Sequence, residues 1–328
     1  MKGLMDMNFK TNQTGTSDGY CLVKSCEKKT NVKGVPYLDM VLCDKSGEIN
    51  SKLWDYKEEI HGVYRTGDLV KVRGTILQYN GADQFRIDRI RPVIDGDDVD
   101  PGELVPSAEY SGREMFEQIC GYIQKINDEE LKSLTYEIIK ESEEKMLFWP
   151  AAFKLHHAMR GGLLYHTLSI LKMCESVCRI YPSVDKDLLY CGAILHDICK
   201  IDEFDVSSAG IVTNYSVKGE LLGHLVMGAM RVNEKAKKLG ISEDKAILIE
   251  HMIISHHGEP EFGAAVRPMF LEAEILSELD TLDATIFEIE ASTGAVEKGG
   301  FTQRQWALDN RKLFNHGRKP LETKAKLD

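Results

Sequence analysis

The spacing of apolar residues changes once along the chain, and this change constrains the fold more than any other feature. Between residues 17 and 95, apolar and polar positions alternate over short segments, which is typical of β-strands with one buried face. The segments cover residues 20–26, 36–43, 48–54, 69–79 and 84–93. From residue 107 onward the apolar positions are three and four apart, which indicates amphipathic helices. The 328 residues therefore predict a multidomain protein in which a β domain precedes an all-α domain.

The five predicted strands favour a small curled barrel. Asn80 and Gly81, between the last two strands, are a two-residue hairpin signal because both tolerate a positive φ. Gly74 lies inside the fourth segment, where a glycine indicates a bulge or a tight bend. Strands of this length fit a five-stranded OB-type barrel over residues 17–95, although an SH3-like barrel or a plain meander would have the same pattern.

The other domain boundaries follow from local composition. Residues 96–106 combine acidic residues, glycine and two prolines, and they predict an exposed linker. Helices are expected at residues 113–126, 129–146, 162–180, 185–199, 221–239 and 242–255, with a small hairpin at 204–215. We assign residues 1–16 to an N-terminal extension, 107–298 to the helical domain, and 299–328 to a C-terminal tail with one short helix.

Composition excludes several classes of protein. The net charge of −11 argues against a basic surface for duplex binding, and this acidity lies outside the barrel. Residues 17–95 hold 13 Lys+Arg against 12 Asp+Glu, whereas the rest of the chain holds 28 against 40. Eight cysteines without a CxxC pair indicate reduced thiols rather than a disulfide framework. The sequence shows neither a membrane span nor a secretory signal, so a soluble cytoplasmic protein is expected.

An ordered series of histidines and aspartates in the helical domain predicts a metal centre. It consists of His166, His196, Asp197, His224, His256 and His257, followed by Asp280 and Asp283. Asp197 follows a fully apolar stretch, where burying a carboxylate is costly unless a cation compensates its charge. Carboxylate and neutral imidazole are both good ligands for Mn²⁺, Fe²⁺, Co²⁺ or Zn²⁺. A single helical histidine is usually a surface or core residue, but five in this order are better explained by ligation.

The order H…HD…H…HH…D resembles the HD superfamily of metal-dependent phosphohydrolases. Segments at residues 150–171, 192–201, 219–225, 251–258 and 280–284 are similar to those of the YhaM family of 3′–5′ exoribonucleases. In the barrel, residues 52–55 (KLWD) and 80–93 resemble that family's OB domain, so the similarity extends from about residue 20 to residue 286. The resemblance implies a nuclease that acts on single-stranded RNA, with single-stranded DNA as a further candidate substrate.

The resemblance also implies which residues hold metal. His166, His196, Asp197 and Asp280 would hold one divalent ion, and Asp197 would bridge to a second. That second ion would be held by His224, His256 and His257. Mn²⁺ or Co²⁺ is the expected metal, with Fe²⁺, Zn²⁺ or Mg²⁺ as alternatives. Asp283, one helical turn beyond Asp280, is expected to support a ligand, and Cys199 stands where the family has glycine.

Other residues are candidates for substrate contacts. Asp197, Lys200 and Arg160 are the predicted catalytic residues, with Lys200 and Arg160 contacting phosphate. Lys200 can equally be a solvated lysine at a helix end, and His156 and His157 can contact substrate or pack. In the barrel, nucleic-acid binding needs cations and aromatic faces. The candidates there are Tyr37, Lys52, Trp54, Tyr79, Phe85 and Arg86.

Three functions remain open from the sequence. The first is the 3′–5′ exoribonuclease, with the barrel feeding the strand to the metal centre. The second is an HD-type nucleotidase or cyclic-nucleotide phosphodiesterase, and the third is a non-catalytic nucleic-acid-binding factor in replication or regulation. The exposed helical faces also leave room for a homo-oligomer.

Overall fold

The computed structural model of the protein describes residues 15–44, 47–94, 96–97, 99–153 and 157–318. Most of the predicted N-terminal extension, His156 and the end of the tail lie outside these residues. The chain divides into two compact units. One contains the chain up to residue 107 together with residues 205–214, and the other contains residues 108–204 and the chain from residue 215.

The first unit is built on a closed five-stranded barrel. Its strands are β1 (Gly15–Thr30), β2 (Pro36–Asp44), β3 (Gly47–Leu53), β4 (Leu69–Tyr79) and β5 (Ala82–Pro92), with the short helix α1 (Glu58–His61) before β4. The strand order is β1-β2-β3-β5-β4, and β4 pairs with β1 to close the barrel. All neighbouring strands are antiparallel except β3 and β5, which run parallel. The predicted OB-type barrel is therefore confirmed.

Side chains point alternately into and out of the barrel along each strand, and the inward ones fill its core. Phe85 and Ile87 on β5 point into the core, and Phe85 is fully buried. The expectation that Phe85 stacks on a base is therefore wrong, since no nucleotide reaches the barrel interior. The predicted irregularity at Gly74 is confirmed by a shift in register beside Arg73, and a Cβ atom on Gly74 would lie 2.1 Å from the backbone oxygen of Arg86.

The segment predicted as an exposed linker contributes to a second apolar cluster in the first unit. It forms the short helix α2 (Pro101–Leu104), which Asp100 caps by accepting a hydrogen bond from the backbone N–H of Gly102. Leu104 and Val105 are buried, which corrects the prediction of a fully exposed linker. They escaped notice because two apolar residues in an acidic stretch show no periodicity.

The predicted hairpin at residues 204–215 is present as β6 (Phe204–Val206) and β7 (Val212–Tyr215). Its tip belongs to the first unit, where Ala209 is fully buried in the same cluster as Leu22 and Leu69. The first unit is therefore assembled from two separate stretches of sequence.

The second unit is helical in the part that the structure describes. Its helices are α3 (Gly112–Gln124), α4 (Glu129–Met146), α5 (Gly162–Ile180), α6 (Lys186–Leu195), α7 (Lys200–Glu203), α8 (Val217–Leu239), α9 (Glu243–Ser255) and α10 (Leu271–Gly294). Helix α6 ends four residues earlier than predicted because the chain turns at residues 196–199, and α8 begins four residues earlier. Helix α10 packs against α5, α6 and α9. It was not among the predicted helices.

The described part of the C-terminal tail is a compact segment rather than the predicted short helix. It contains a single 3₁₀ turn, Trp306–Leu308, between antiparallel bridges that join Phe301 to Phe314 and Gln305 to Arg311. Among the described residues, no helix has the length and apolar character needed to cross a bilayer.

Candidate metal centre

Five elements of the helical unit bring the predicted ligands together around Asp197. His166 lies in α5, His196 and Asp197 follow α6, His224 lies in α8, His256 and His257 follow α9, and Asp280 lies in α10. The ligand atoms of His166, His196 and Asp197 lie within 4.8 Å of one another, and so do those of His224, His256 and His257. All seven side chains that the sequence suggests as ligands thus belong to one site.

The two oxygens of Asp197 face different groups of histidines. Oδ2 lies 3.3 Å from Nε2 of His196 and 3.6 Å from Nε2 of His166. Oδ1 lies 3.3 Å from Nε2 of His224 and 3.6 Å from Nε2 of His256. Asp280 joins the first group, with Oδ1 3.0 Å from Nε2 of His166. The carboxylate of Asp197 therefore lies between the two groups of histidines, with one oxygen facing each.

Four of the five histidines, namely His166, His196, His224 and His256, present Nε2 to Asp197. The other ring nitrogen, Nδ1, is a donor in all five histidines. Its acceptor is a backbone oxygen in three of them: Ala193 for His196 at 2.9 Å, Ile253 for His256 at 2.7 Å and Phe262 for His257 at 3.0 Å. In His166 and His224 the acceptor is a carboxylate, that of Asp283 and Glu203 respectively. Since carbonyl and carboxylate oxygens only accept, the proton of each neutral ring lies on Nδ1. In His196, His224, His256 and His257, Nε2 is then left without a proton, as metal-binding histidines require.

Hydrogen bonding shows that the site fits a divalent cation. Oδ1 of Asp197 and Nε2 of His224 and His256 are buried and have no hydrogen-bond partner. Leaving three such atoms unsatisfied is costly, and native proteins keep few of them. All three are electron-pair donors that converge on one region, so a bound cation would satisfy them together. The mixture of imidazole nitrogen and carboxylate oxygen suits Mn²⁺, Fe²⁺, Co²⁺ or Zn²⁺.

Burial and neighbouring charges set the protonation of these groups. Burial, together with His256 and His224, lowers the pKa of His257 to about 3, and burial also lowers the pKa of His196. Burial disfavours the charged form of His166 as well, but its hydrogen bonds with Asp280 and Asp283 outweigh this and raise its pKa to about 10. His257 and His196 therefore favour the neutral form that ligates a metal, whereas the carboxylates beside His166 favour its protonated form.

Similarity to known proteins agrees with this geometry. A family model for the HD domain matches residues 163–285. The chain is 37% identical to the 3′-5′ exoribonuclease YhaM of Bacillus licheniformis and 36% identical to that of Bacillus subtilis, each over 90% of this chain and 94% of the relative. It is 38% identical to the YhaM of Geobacillus sp., over 90% of this chain and 91% of the relative. The chain belongs to the YhaM family.

Among solved structures, this YhaM-family chain is similar to the second OB-fold domain of replication protein A from Methanococcus maripaludis. The identity is 19% and the TM-score 0.20, over 27% of this chain and 90% of that domain. The likeness concerns the fold alone.

Asp283 anchors one side of the centre. Its buried carboxylate accepts hydrogen bonds from Nδ1 of His166 at 2.7 Å, from Nε2 of His157 at 2.8 Å and from the hydroxyl of Ser169. It therefore orients His166 without contacting the ligand face, the supporting role that its place one turn after Asp280 suggested. His157 is buried, and its ring centroid lies 4.4 Å from that of Phe287, so it packs behind the site.

Glu203 anchors the other side and was not found from the sequence. Its Oε1 atom accepts hydrogen bonds from both the backbone N–H and Nδ1 of His224, each at 3.0 Å. Gly223, just before His224, has φ 67° and ψ 162° and interrupts α8 there. Only glycine adopts this conformation readily, so the kink turns His224 towards Glu203 and Asp197. The available signal was the acidic pair Asp202 and Glu203, a few residues after the HD motif.

The structure separates the remaining predicted catalytic residues. Lys200 is buried, and its Nζ atom donates to Oδ2 of Asp197 at 2.7 Å, so it is not a solvated lysine at a helix end. The guanidinium carbon of Arg160 lies 5.2 Å from the ring centroid of Phe148, and Arg160 does not line the cleft at the metal centre. The expected phosphate contact of Arg160 therefore stays a prediction. Cys199 is buried, which raises the pKa of its thiol to about 11 and keeps it protonated.

A cleft of about 620 Å³ opens beside the metal centre, within the helical unit. His224, His257 and Asp280 form part of its wall, and Lys200 is the only lysine or arginine among the described residues that line it. Aromatic side chains form much of the remaining wall, namely Phe153, Phe204, Tyr215, Phe262 and Trp306. The cleft thus places the ammonium group of Lys200 and several aromatic surfaces beside the candidate metal ligands.

In the barrel unit, three of the predicted nucleic-acid contacts form an aromatic–lysine cluster. The ring centroids of Tyr37 and Trp54 are 4.6 Å apart, and Nζ of Lys52 lies 4.8 and 5.6 Å from them. Tyr79 is exposed near the end of β4, and Arg86 forms an ion pair with Asp88. The structure therefore brings Tyr37, Lys52 and Trp54 together, and Arg86 on β5 lies opposite Lys52 in the parallel pairing of β3 with β5.

Proposed function

We propose that this protein is a metal-dependent 3′–5′ exoribonuclease that hydrolyses phosphodiester bonds of single-stranded RNA, with single-stranded DNA as a further substrate. The observation that carries the proposal is the convergence of five histidines and two aspartates around Asp197. The activity named for the relatives, at 36–38% identity over 90% of the chain, supports the same function. We propose two divalent ions, Mn²⁺ by preference.

The protein's own residues prepare the reaction. When bound, divalent ions supply a nucleophile at neutral pH and neutralise charge on the phosphoryl oxygens. Asp197 holds the two ligand groups together through its separate oxygens, and Asp283 and Glu203 keep His166 and His224 in position. Lys200 lines the cleft, and we propose that its ammonium group binds the phosphate.

The barrel supplies binding rather than chemistry in this proposal. Bases stack on aromatic faces, and a lysine beside them pairs with the phosphate backbone. The aromatic–lysine cluster offers an aromatic face and an ammonium group on neighbouring strands. Lys52 on β3 lies opposite Asp39 on β2, and Asp39 is two residues from Tyr37. We propose that it holds the single strand upstream of the 3′ end.

Digestion of a 5′-labelled single-stranded RNA with Mn²⁺ tests the proposal. We expect stepwise shortening from the 3′ end, and we expect Asp197→Asn to abolish it. Asp244→Asn, an exposed change at the start of α9, is the matched control and should digest RNA like the unaltered protein. Melting curves of both variants check that the fold is kept.

Three other outcomes would contradict the proposal. An inert RNA beside cleaved mononucleotides or cyclic nucleotides would indicate a nucleotidase or cyclic-nucleotide phosphodiesterase. RNA binding without turnover would indicate a non-catalytic factor. Full activity of Asp197→Asn would remove Asp197 from the reaction.

A further inference from the structure

Part of the wall of the cleft comes from the tail that follows the HD-domain match. That match ends at residue 285, and the 3₁₀ turn Trp306–Leu308 lies beyond it. Bridges between Phe301 and Phe314 and between Gln305 and Arg311 hold the segment in shape. It is also fixed to the chain just after α10, since Nδ2 of Asn315 donates to the backbone oxygen of Val296 at 2.7 Å. The position of the turn at the cleft is thus built into the fold.

Two aromatic side chains at this cleft are not explained by packing. Trp306 is 74% exposed and Phe262 is 73% exposed, although both line the cleft. The other aromatic residues of the wall pack on one another, with Tyr215 centred 5.2 Å from Phe204 and 5.8 Å from Phe153. Among the described residues, no aromatic ring or cation lies on the ring of Trp306 or Phe262. Their faces are therefore available to a ligand.

The charge of the cleft indicates what kind of contact a nucleotide can make there. Asp280, Glu203 and Glu288 contribute carboxylates to the lining, and Lys200 contributes the single ammonium group among the described lining residues. Apart from the proposed metal ions, the side chains of the cleft therefore give a polyanionic strand little electrostatic attraction. Stacking does not depend on charge, and it tolerates any sequence because every base has a π-face.

We propose that Trp306, together with Phe262, forms a stacking subsite for the bases at the 3′ end of the substrate. This inference rests on the proposed function and names how the same site binds its substrate. Trp306 holds a base in the cleft, so it contributes to binding and leaves the reacting phosphodiester to the metal ligands and Lys200. Its loss should therefore raise KM and leave kcat nearly unchanged.

Kinetics with the full-length protein and Mn²⁺ test the subsite. Two RNA oligonucleotides are compared, one unmodified and one whose last two 3′ nucleotides lack bases. We expect Trp306→Ala to raise KM about tenfold on the unmodified RNA, with kcat within about twofold, and to have no effect on the abasic RNA. Trp306→Phe should restore most of the loss, because a phenyl ring also stacks. Tyr181→Ala, a 59% exposed aromatic residue that does not line the cleft, is the control and should change neither constant.

An unchanged KM for Trp306→Ala, or an equal rise in KM on the abasic RNA, would overturn the subsite. A merely structural role of Trp306 would lower kcat and affect both RNAs alike. The kinetic comparison therefore separates stacking from support of the fold.

A fluorescence titration tests the subsite without turnover. In a Trp54→Phe variant treated with a chelator, Trp306 is the exposed tryptophan and Trp149 is buried. Adding diadenylate should quench the emission, and Trp306→Ala in the same background should abolish the quenching. Quenching without RNA shortening would refute the proposed exonuclease and keep the subsite. RNA shortening without quenching would refute the subsite alone.

Discussion

Replacing Asp283 with alanine should weaken metal binding although Asp283 is not placed as a ligand. Its carboxylate accepts hydrogen bonds from Nδ1 of His166 and from Nε2 of His157, at 2.7 and 2.8 Å, and both rings are buried. In Asp283→Ala neither ring has this acceptor, and His166 is no longer held with Nε2 towards Asp197. Asp283→Asn is milder, because its amide oxygen still accepts from the histidines while Ser169 can turn to accept from the amide nitrogen.

The size of the effect follows from what the carboxylate does. Loss of a supporting group behind a metal-bound histidine typically reduces metal affinity or activity about 10–100-fold. That range corresponds to roughly 1.4–2.8 kcal/mol. Since each hydrogen bond to a charged group contributes about 1.5–3 kcal/mol, losing the acceptor for one oriented ring accounts for the whole range. We expect Asp283→Ala near the upper end and Asp283→Asn near or below the lower end.

Titration of the metal-free protein with Mn²⁺, by calorimetry and by RNA hydrolysis, measures the effect. Saturating Mn²⁺ should restore much of the turnover of Asp283→Ala, because the ligands themselves remain. Glu278→Gln, an exposed change on the same helix, is the control and should bind Mn²⁺ normally. If Asp283→Ala bound Mn²⁺ as tightly as the unaltered protein, the orienting role of Asp283 would be refuted.

Three further predictions follow from the structure. Gly223→Ala, at φ 67° and ψ 162°, should lower the free energy of unfolding by about 1–3 kcal/mol and reduce the amount of bound Mn²⁺. Gly121→Ala is the control, because Gly121 faces open space on α3, and it should stabilise the protein slightly. Melting curves and metal analysis measure both effects. The metal-free pKa of His166, about 10, means that a bound cation displaces a proton below that pH. Mn²⁺ affinity should therefore rise between pH 7 and about pH 9, and calorimetry in buffers of different ionisation enthalpy that found no proton release would contradict this. Trp54→Ala should weaken the binding of long RNA by about 1–3 kcal/mol, measured by fluorescence anisotropy, and leave dinucleotide hydrolysis unchanged. Leu77→Ala, at another exposed apolar residue of the barrel, is its control.

The barrel could be predicted from local signals in the sequence. The alternation of apolar residues, the turn at Asn80 and Gly81, and the bulge at Gly74 each act within a few residues, and each is visible in the strands and their register. The burial of Phe85 was also available, since Phe85 and Ile87 alternate with charged residues on β5. It was missed because an aromatic residue next to an arginine also suits a binding surface.

The candidate ligands could be proposed from the sequence because their order and residue types are specific. Their supporting residues could not be proposed as easily. Glu203 lies 21 positions from His224, and Asp283 lies 117 positions from His166. Nothing in the spacing of such residues shows which histidine a carboxylate will contact. The place of Trp306 in the cleft depends on how a non-helical tail folds back, and hydrophobic periodicity carries no information on that.

The hairpin β6–β7 has a consequence for how the protein is made. Domains generally fold as units while the chain is being synthesised, and the N-terminal one folds first. Here the first unit includes residues 205–214, with Ala209 buried in its apolar cluster. A nascent chain that has only passed residue 107 therefore carries a barrel with part of its surface still uncovered. Completion waits for about a hundred more residues to leave the ribosome, and a gene cut at residue 107 would produce two incomplete fragments.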